Sequence, residues 1–141
     1  MTEIDFYSGG GDRLLVTCRL AAKGIRQGLR LMVYSSDNAT LDQIDKLLWT
    51  FSPTDFVPHC RIGSKLAAVT PLILGSHCDD DLPHGDALVN LDGEHPPFFS
   101  RFQRLVEIAG AAPEDLQAAR KRYRFYKDRG YEIRHHQLGT E

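Results

Sequence analysis

Residues 3–34 read EIDFYSGGGDRLLVTCRLAAKGIRQGLRLMVY, and this stretch predicts one β-α-β unit. Glu3 to Ser8 alternates apolar and polar side chains and stops at Gly9-Gly10-Gly11, which indicates a short strand and a turn. From Asp12 to Gly28 the apolar residues recur every three to four positions, as in an amphipathic helix. The apolar segment Arg30 to Tyr34 then predicts a second strand. A strand, a helix and a strand in this order favour a parallel sheet covered by helices.

The rest of the chain continues the alternation of strands and helices. Ser36-Asp37-Asn38 offers helix-capping residues for a second helix, whose predicted buried stripe is Leu41, Ile44, Leu48 and Phe51. The later predicted elements are a loop at Pro53 to Pro58, a strand at Ala67 to Leu74, a polar loop at Gly75 to Gly85, a strand at Asp86 to Leu91, a helix at Phe98 to Ala109, a helix from Pro113 to Gly130, and a last strand beginning at Tyr131-Glu132-Ile133. This order predicts one α/β domain over residues 1–141. We expect a three-layer α/β domain around a mostly parallel sheet of about five strands.

Composition excludes several classes of protein. The chain has 141 residues, 42% hydrophobic and 26% charged, which is average for a soluble globular domain. No apolar run approaches the roughly 20 residues that span a bilayer, and the acidic N-terminus does not have the pattern of a signal peptide. Three cysteines, Cys18, Cys60 and Cys78, cannot all pair within one chain. We therefore expect reduced thiols and a cytoplasmic protein without membrane contact.

The charge is unevenly distributed along the chain. Residues 1–119 carry 10 Lys and Arg against 16 Asp and Glu, a net charge of −6, whereas residues 120–141 carry 7 against 3, a net charge of +4. An acidic body with a basic C-terminal segment predicts a local anion-binding site. It does not match a protein that binds nucleic acid over its whole surface.

The common catalytic and cofactor motifs are not matched. Gly9-Gly10-Gly11 is followed by no Gly-Lys-Ser/Thr and no third glycine at dinucleotide spacing, so a plain turn is favoured over a phosphate-binding loop. His59-Cys60 and His77-Cys78 resemble metal ligands, but adjacent side chains in an extended segment point to opposite faces. No nucleophile elbow or paired-carboxylate motif is present. We therefore expect no catalytic residues, no metal and no cofactor.

Asp79-Asp80-Asp81 is interpreted as a solvated acidic loop, with self-docking on a basic site as the alternative.

The predicted last helix carries the strongest candidate site. Residues 120–129 contain six cations and three aromatic residues. Arg120, Arg124 and Lys127 stand at positions i, i+4 and i+7 on one face, with Tyr123 at its border. Ala118, Ala119, Phe125 and Tyr126 form an apolar arc that should face the sheet. Three cations beside a flat aromatic ring suit an acidic ligand with an aromatic group; long side chains extending from a surface helix are the alternative.

Trp49 is the second candidate. It falls off the buried stripe of the second helix, and Phe56-Val57-Pro58 follow in the next loop. An exposed Trp beside apolar residues is typical of a protein-protein interface. The alternative is that the loop folds over the ring.

Five segments together resemble a known family. They are Asp5-Phe6-Tyr7, Gly28 to Val33, Leu48-Trp49-Thr50-Phe51, Phe56-Val57-Pro58-His59, and Ala119-Arg120-x-Arg122-Tyr123-x-x-Tyr126-x-x-x-Gly130. No single segment is unique, but their order and spacing over essentially the whole chain resemble the chi subunit of bacterial DNA polymerase III.

The resemblance implies a doubly wound, Rossmann-like α/β domain without a phosphate-binding loop. It also implies a non-catalytic subunit that carries a DNA-directed DNA polymerase classification only through the holoenzyme. It implies a link between the clamp-loader complex and single-stranded DNA-binding protein, whose acidic C-terminal tail ends in an Asp/Ile/Pro/Phe-type sequence. Carried over by position, the tail site comprises Arg120, Tyr123, Arg124 and Lys127. The psi subunit or the clamp loader would meet Trp49, Phe51 and Phe56, and contact with DNA would be indirect.

Two rival functions remain open from the sequence. An enzyme could use the crevice at the carboxyl ends of the strands to bind a small molecule or nucleotide. A direct nucleic-acid binder would use the basic helix, but the net charge of −6 over residues 1–119 disfavours contact along a phosphate chain.

Overall fold

The chain forms an open, all-parallel sheet with helices on both faces. The structure is a computed structural model, which describes residues 1–138. Its strands are β1 (Glu3–Ser8), β2 (Leu31–Tyr34), β3 (His59–Arg61), β4 (Leu72–Gly75), β5 (Ala87–Asn90), β6 (Arg104–Ile108) and β7 (Ile133–Gln137). Its α-helices are α1 (Arg13–Arg26), α2 (Asn38–Thr50) and α3 (Pro113–Asp128), with short 3-10 turns at Ala67–Val69 and Phe99–Arg101. The strand order is β3-β4-β2-β5-β6-β1-β7, and every pair is parallel.

The helices begin where capping chemistry predicts. The side chain of Asp12 accepts a hydrogen bond from the Leu14 backbone N–H at 3.0 Å, and Asp37 accepts one from Ala39 at 3.0 Å. Each bond satisfies one of the N–H groups that a helix start leaves without an intrahelical partner. α3 begins with Pro113 in its first turn. Two acidic residues follow, and their negative charges stabilise the helix by interacting with the positive end of its dipole.

Two hydrophobic cores lie on the two faces of the sheet. One core joins α1 and α2 to the sheet and includes Val33, Leu41, Ile44 and Leu74. The other packs α3 and the segment around Phe99 on the opposite face. Helices on both faces of one parallel sheet confirm the predicted doubly wound, three-layer α/β fold.

The predicted helix at Phe98 to Ala109 is wrong. The chain instead makes the 3-10 turn at Phe99–Arg101 and then strand β6, where Leu105 to Ile108 are all buried. β6 lies between β5 and β1 and is covered on both faces, so its apolar residues do not alternate. Without alternation, the spacing of Phe98, Phe102 and Leu105 resembled a helical stripe.

The other differences concern strand ends and short strands. Ala67 to Leu74 was predicted as one strand, but it contains a 3-10 turn and only the first residues of β4, which begins after Pro71. β3, three residues long, follows the predicted loop at Pro53 to Pro58 and was not predicted. Within residues 1–138, β3 and β6 raise the strand number from the expected five to seven.

The glycine turn after β1 packs against the end of β7. Gly9 and Gly11 both have φ +78°, a conformation that residues with a Cβ rarely adopt. A Cβ on Gly9 would also lie within 2.8 Å of the Leu138 carbonyl oxygen and would overlap the Gln137 side chain. This supports a close-packed turn over a phosphate-binding loop. Within residues 1–138, no helix is long and apolar enough to cross a membrane.

Candidate functional site

A groove of about 510 Å³ opens where β1 and β6 end. β1 continues into α1 on one face of the sheet, and β6 continues into α3 on the other. Their carboxyl ends therefore border an opening at the topological switch point, where open α/β sheets bind ligands. Tyr7, Ser8 and Ala109 lie at these strand ends, and α3 forms the opposite wall.

Three cations from one side of α3 line this groove. Arg120, Arg124 and Lys127 are all exposed, one helical turn apart, and all three belong to the wall. None of them takes part in an ion pair with another residue of the described chain. Like charges at this spacing repel, so an anion placed among them would relieve the repulsion.

The floor between these cations is apolar and aromatic. Tyr123 is half-buried, with its ring edge-on to Phe6 at 5.7 Å between centroids and 5.2 Å from the ring of His135 on β7. Lys127 Nζ lies 5.7 Å from the centre of the Tyr123 ring. Leu116 and Ala119 complete the apolar wall. The four residues predicted as a tail site, Arg120, Tyr123, Arg124 and Lys127, are thus brought together in one groove.

A buried polar network anchors α3 to the sheet beneath the groove. Glu107 on β6 is 0% exposed, and its carboxylate accepts hydrogen bonds from Arg122 Nε at 2.8 Å, Tyr126 Oη at 2.5 Å and Asn90 Nδ2 at 3.0 Å. Arg122 also donates to the Gly93 carbonyl oxygen at 3.0 Å. Two successive turns of α3 are therefore tied to β6, and one of them also to the loop after β5.

The network perturbs the titration of its acidic members. Burial raises the pKa of the Glu107 carboxyl above its ordinary value of 4.5, while the Arg122 guanidinium and the donated hydrogen bonds act in the opposite direction. Burial and the neighbouring Glu107 carboxylate raise the pKa of the Tyr126 hydroxyl. That hydroxyl therefore stays protonated at neutral pH and donates to Glu107.

Sequence reasoning missed this network. Arg122 was counted among six cations of a basic run, but it is 4% exposed and does not line the groove. Two signals were available. Asn90 is a polar residue in an otherwise apolar strand, and Arg122 and Tyr126 share the face of Ala119 at helical spacing.

Arg129, a second cation of residues 120–129, also makes its contacts away from the groove. The Arg129 guanidinium lies 3.7 Å from the centre of the Phe125 ring, and His95 stacks on that ring at 3.7 Å. Phe125 is half-buried at the margin of the core between α3 and the sheet, whereas Ala119 and Tyr126 of the predicted apolar arc are buried in it. Burial and, next, Arg129 lower the pKa of His95.

Trp49 and Phe56 form an exposed aromatic pair at the other end of the molecule. They are 62% and 70% exposed, with ring centroids 5.9 Å apart. Trp49 also contacts the ring of His59, the first residue of edge strand β3, at 5.1 Å. His59 is held between Asp45 Oδ1 and the Val57 carbonyl oxygen, both at 2.7 Å. The loop does not cover Trp49, so the predicted exposure of this ring is confirmed.

Phe51 differs from its two predicted partners. It ends α2 as the C-cap residue and packs, half-buried, against the core shared by α1 and α2. The geometry therefore places Trp49 and Phe56, but not Phe51, in one exposed patch.

Among the His, Cys and Asp residues considered as metal ligands, His77 Nε2 and Asp79 Oδ1 lie 3.4 Å apart. Residues 1–138 contain no group of three or more His, Cys, Asp or Glu side chains placed to hold a metal ion. The acidic loop around Asp79 is held in its conformation by hydrogen bonds from Arg101. The Arg101 guanidinium donates to the carbonyl oxygens of Asp79 and Asp80 at 3.0 Å and to Cys78 Sγ at 2.9 Å. The loop residues are not part of the groove wall.

Comparison with known proteins places the chain in a family. Residues 1–134 match the family model described as DNA polymerase III chi subunit, HolC. The chain is 37% identical over 142 residues to DNA polymerase III subunit chi of Pseudomonas aeruginosa, covering 98% of each chain. It is 27% identical to the subunit chi of Haemophilus influenzae, over 88% of this chain and 86% of that protein. It is 25% identical to that of Escherichia coli, over 84% and 80%. These matches show that the chain belongs to the DNA polymerase III chi subunit family, whose members are accessory subunits in DNA replication.

Proposed function

We propose that the groove beside α3 binds the acidic C-terminal tail of single-stranded DNA-binding protein, and that the chain thereby links that protein to the clamp-loader complex of DNA polymerase III. The observation that carries the proposal is the groove itself. It combines three cations, none in an ion pair within the described chain, with an aromatic floor at the end of the sheet. The chain itself is not the polymerase catalyst in this proposal.

Each part of such a tail has a matching part of the groove. The terminal aromatic ring enters the apolar space beside Tyr123 and Phe6. Arg120 pairs with the terminal carboxylate, since a guanidinium offers two parallel N–H donors to a carboxylate. Arg124 and Lys127 meet the aspartates upstream.

A second surface lets the chain act as a link. Trp49 and Phe56 lie beside β3, and the groove includes His135 on β7, so the two sites are at opposite edges of the sheet. Six strand spacings of about 4.8 Å separate these edges by roughly 29 Å. Both sites can therefore be occupied at once. We assign the Trp49 surface to the psi subunit or to the clamp loader directly.

The rival nucleotide-binding function would use the same opening, but its surroundings disfavour a phosphate. The first turn of α3 carries Glu114 and Asp115, and the Asp115 carboxylate packs over Gly110. Phosphates bind helix N-termini through free N–H groups and a positive potential, and the two carboxylates reduce that potential. The three cations of the groove wall lie beyond the first turn of α3 and are spread along the helix, so that an extended peptide can contact all of them.

Titration of a labelled peptide ending in Asp-Asp-Ile-Pro-Phe tests the proposal. We expect saturable binding that weakens with salt, because partly exposed ion pairs are screened over about 8 Å at physiological ionic strength. Removing the final Phe loses the burial of one aromatic side chain, roughly 1.5–3 kcal/mol, or about 10- to 150-fold in Kd. Arg124→Glu loses one attraction and adds a repulsion, roughly 2- to 30-fold in Kd.

Lys121→Glu is the matched control. Lys121 is exposed on the same helix but is absent from the groove wall, and its reversal changes the net charge equally. Equal weakening by both reversals would indicate attraction to the whole basic segment. Absence of binding at low salt would reject the groove as the tail site.

A further inference from the structure

We propose that an acidic peptide in the groove binds in an extended conformation as an eighth, parallel strand along the outer edge of β7. This inference rests on the function proposed above and specifies how the peptide backbone is held. Within residues 1–138, no strand pairs with the outer edge of β7.

The hydrogen bonds between β1 and β7 determine which peptide groups of β7 face outward. The Ile4 N–H donates to the Glu132 carbonyl oxygen at 3.2 Å, and the Leu138 N–H donates to the Ser8 carbonyl oxygen at 2.7 Å. In a parallel pair, every second residue directs both its N–H and its C=O to the neighbouring strand.

The alternation divides β7 into two sets of residues. Arg134 and His136 face β1 with their peptide groups, as Glu132 and Leu138 do. Ile133, His135 and Gln137 therefore direct their N–H and C=O groups outward. These six polar groups form a ready template for another strand.

The exposed edge and the groove are continuous at His135. The side chain of His135 lines the groove and lies 5.2 Å from the Tyr123 ring, while its peptide group faces outward. A strand paired with β7 would direct alternate side chains towards the face that carries α3. Arg124 and Lys127 line that face.

The charges favour an acidic peptide over a second copy of this chain. Two β7 edges facing each other would bring like charges together, because each edge lies beside Arg124 and Lys127, and neither of these cations is ion-paired within the described chain. Like charges placed opposite each other destabilise strand pairing. An acidic strand instead neutralises the cations of the groove wall.

The polarity of the groove sets the direction of the added strand. α3 starts near the carboxyl ends of the strands and runs back towards their amino ends. Arg120 therefore lies nearer the carboxyl ends of the strands than Lys127 does. A terminal carboxylate at Arg120 and upstream aspartates at Lys127 make the peptide run in the direction of β7. The added strand is therefore parallel, like every other pair in the sheet.

Amide hydrogen exchange measured by NMR on the full chain, with and without the peptide ending in Asp-Asp-Ile-Pro-Phe, tests this inference. The outward amides of Ile133, His135 and Gln137 should exchange at least about tenfold more slowly at saturation. The amides of Arg134 and His136 serve as internal controls, because they are already bonded to β1, and their exchange should slow much less than that of the outward amides.

Two further peptides test the same contact from the other side, each N-methylated at one of the adjacent aspartates. Only one of two neighbouring residues can face β7, so one methyl group should weaken binding about fivefold or more and the other should have little effect. Saturable binding without protection of the outward amides, or with equal effects of both methyl groups, would overturn the added strand and leave the groove as a peptide site. Absence of any binding would overturn both proposals. Protection of the same amides without peptide, accompanied by dimers in solution, would assign the edge to a second copy and reject the inference.

Discussion

Replacement of Arg122 by Met should destabilise the fold in a pH-dependent manner. The substitution leaves Glu107, 0% exposed, with hydrogen bonds from Tyr126 and Asn90 but without its cation. Removing one partner of a buried ion pair costs about 3–5 kcal/mol, because the remaining charge is buried without compensation. We expect a loss of this size in the free energy of unfolding at pH 8.

The pH dependence follows from the protonation of Glu107. Burial already raises the pKa of this carboxyl above 4.5 in the folded chain, and Arg122 is the foremost influence that opposes the rise. Without Arg122 the folded pKa rises further, so the folded state binds the proton more tightly than the unfolded state. Stability from such a group is present at low pH and is lost as pH rises through the folded pKa. The deficit against wild type should therefore shrink on acidification, by up to about 1.4 kcal/mol per pH unit between the folded pKa of Glu107 in the variant and its lower folded pKa in wild type.

Urea unfolding followed by circular dichroism at pH 8 and pH 5 measures both quantities. The double variant Arg122→Met/Glu107→Gln is the control, because an amide cannot take up the proton and its deficit against wild type should therefore not shrink at pH 5. A cost below about 1 kcal/mol at pH 8, or an equal deficit at both pH values, would refute the assignment of Glu107 and Arg122 as a coupled buried pair.

Two further predictions concern the glycine turn and the aromatic patch. Gly9→Ala should destabilise the chain by at least about 1 kcal/mol more than Gly11→Ala in urea unfolding, because both positions have φ +78° but only a Cβ on Gly9 meets Gln137 and Leu138; equal costs would contradict the packing of this turn against β7. Trp49→Ala should cost less than about 1 kcal/mol of stability, since its ring is 62% exposed. It should also leave the Kd for the acidic peptide unchanged in the same titration while weakening capture of the psi subunit or clamp loader, and a change in the peptide Kd would show that the two surfaces are not independent.

The sequence predicts most of the fold where local signals are strong. Asp12 and Asp37 cap α1 and α2, and Pro113 begins α3, because capping and proline effects act within one turn. Strand β6 could not be recognised, since a central strand buried on both faces loses the alternation that marks a strand. β3 owes its three residues to pairing with β4, which no local pattern encodes.

The candidate site was predictable to the extent that it lies on one helix. Helical spacing alone brings Arg120, Tyr123, Arg124 and Lys127 to one side of α3. The opposite wall of the groove, from β1 and β7, depends on strand order and could not be derived from spacing. The same holds for Arg122, whose burial is decided by Glu107 on another element.

The exposed ring of Trp49 has an optical consequence. It is the one tryptophan in the 141 residues, so the intrinsic tryptophan emission of the chain comes from a single fluorophore that is mostly in contact with solvent. That fluorophore lies at the sheet edge opposite the groove, beside His59. Its emission therefore reports on the occupancy of the β3 edge: a partner that covers the ring shifts the spectrum to shorter wavelength, whereas a peptide in the groove leaves it unchanged. The unlabelled protein therefore reports binding at the β3 edge, whether or not the groove is occupied.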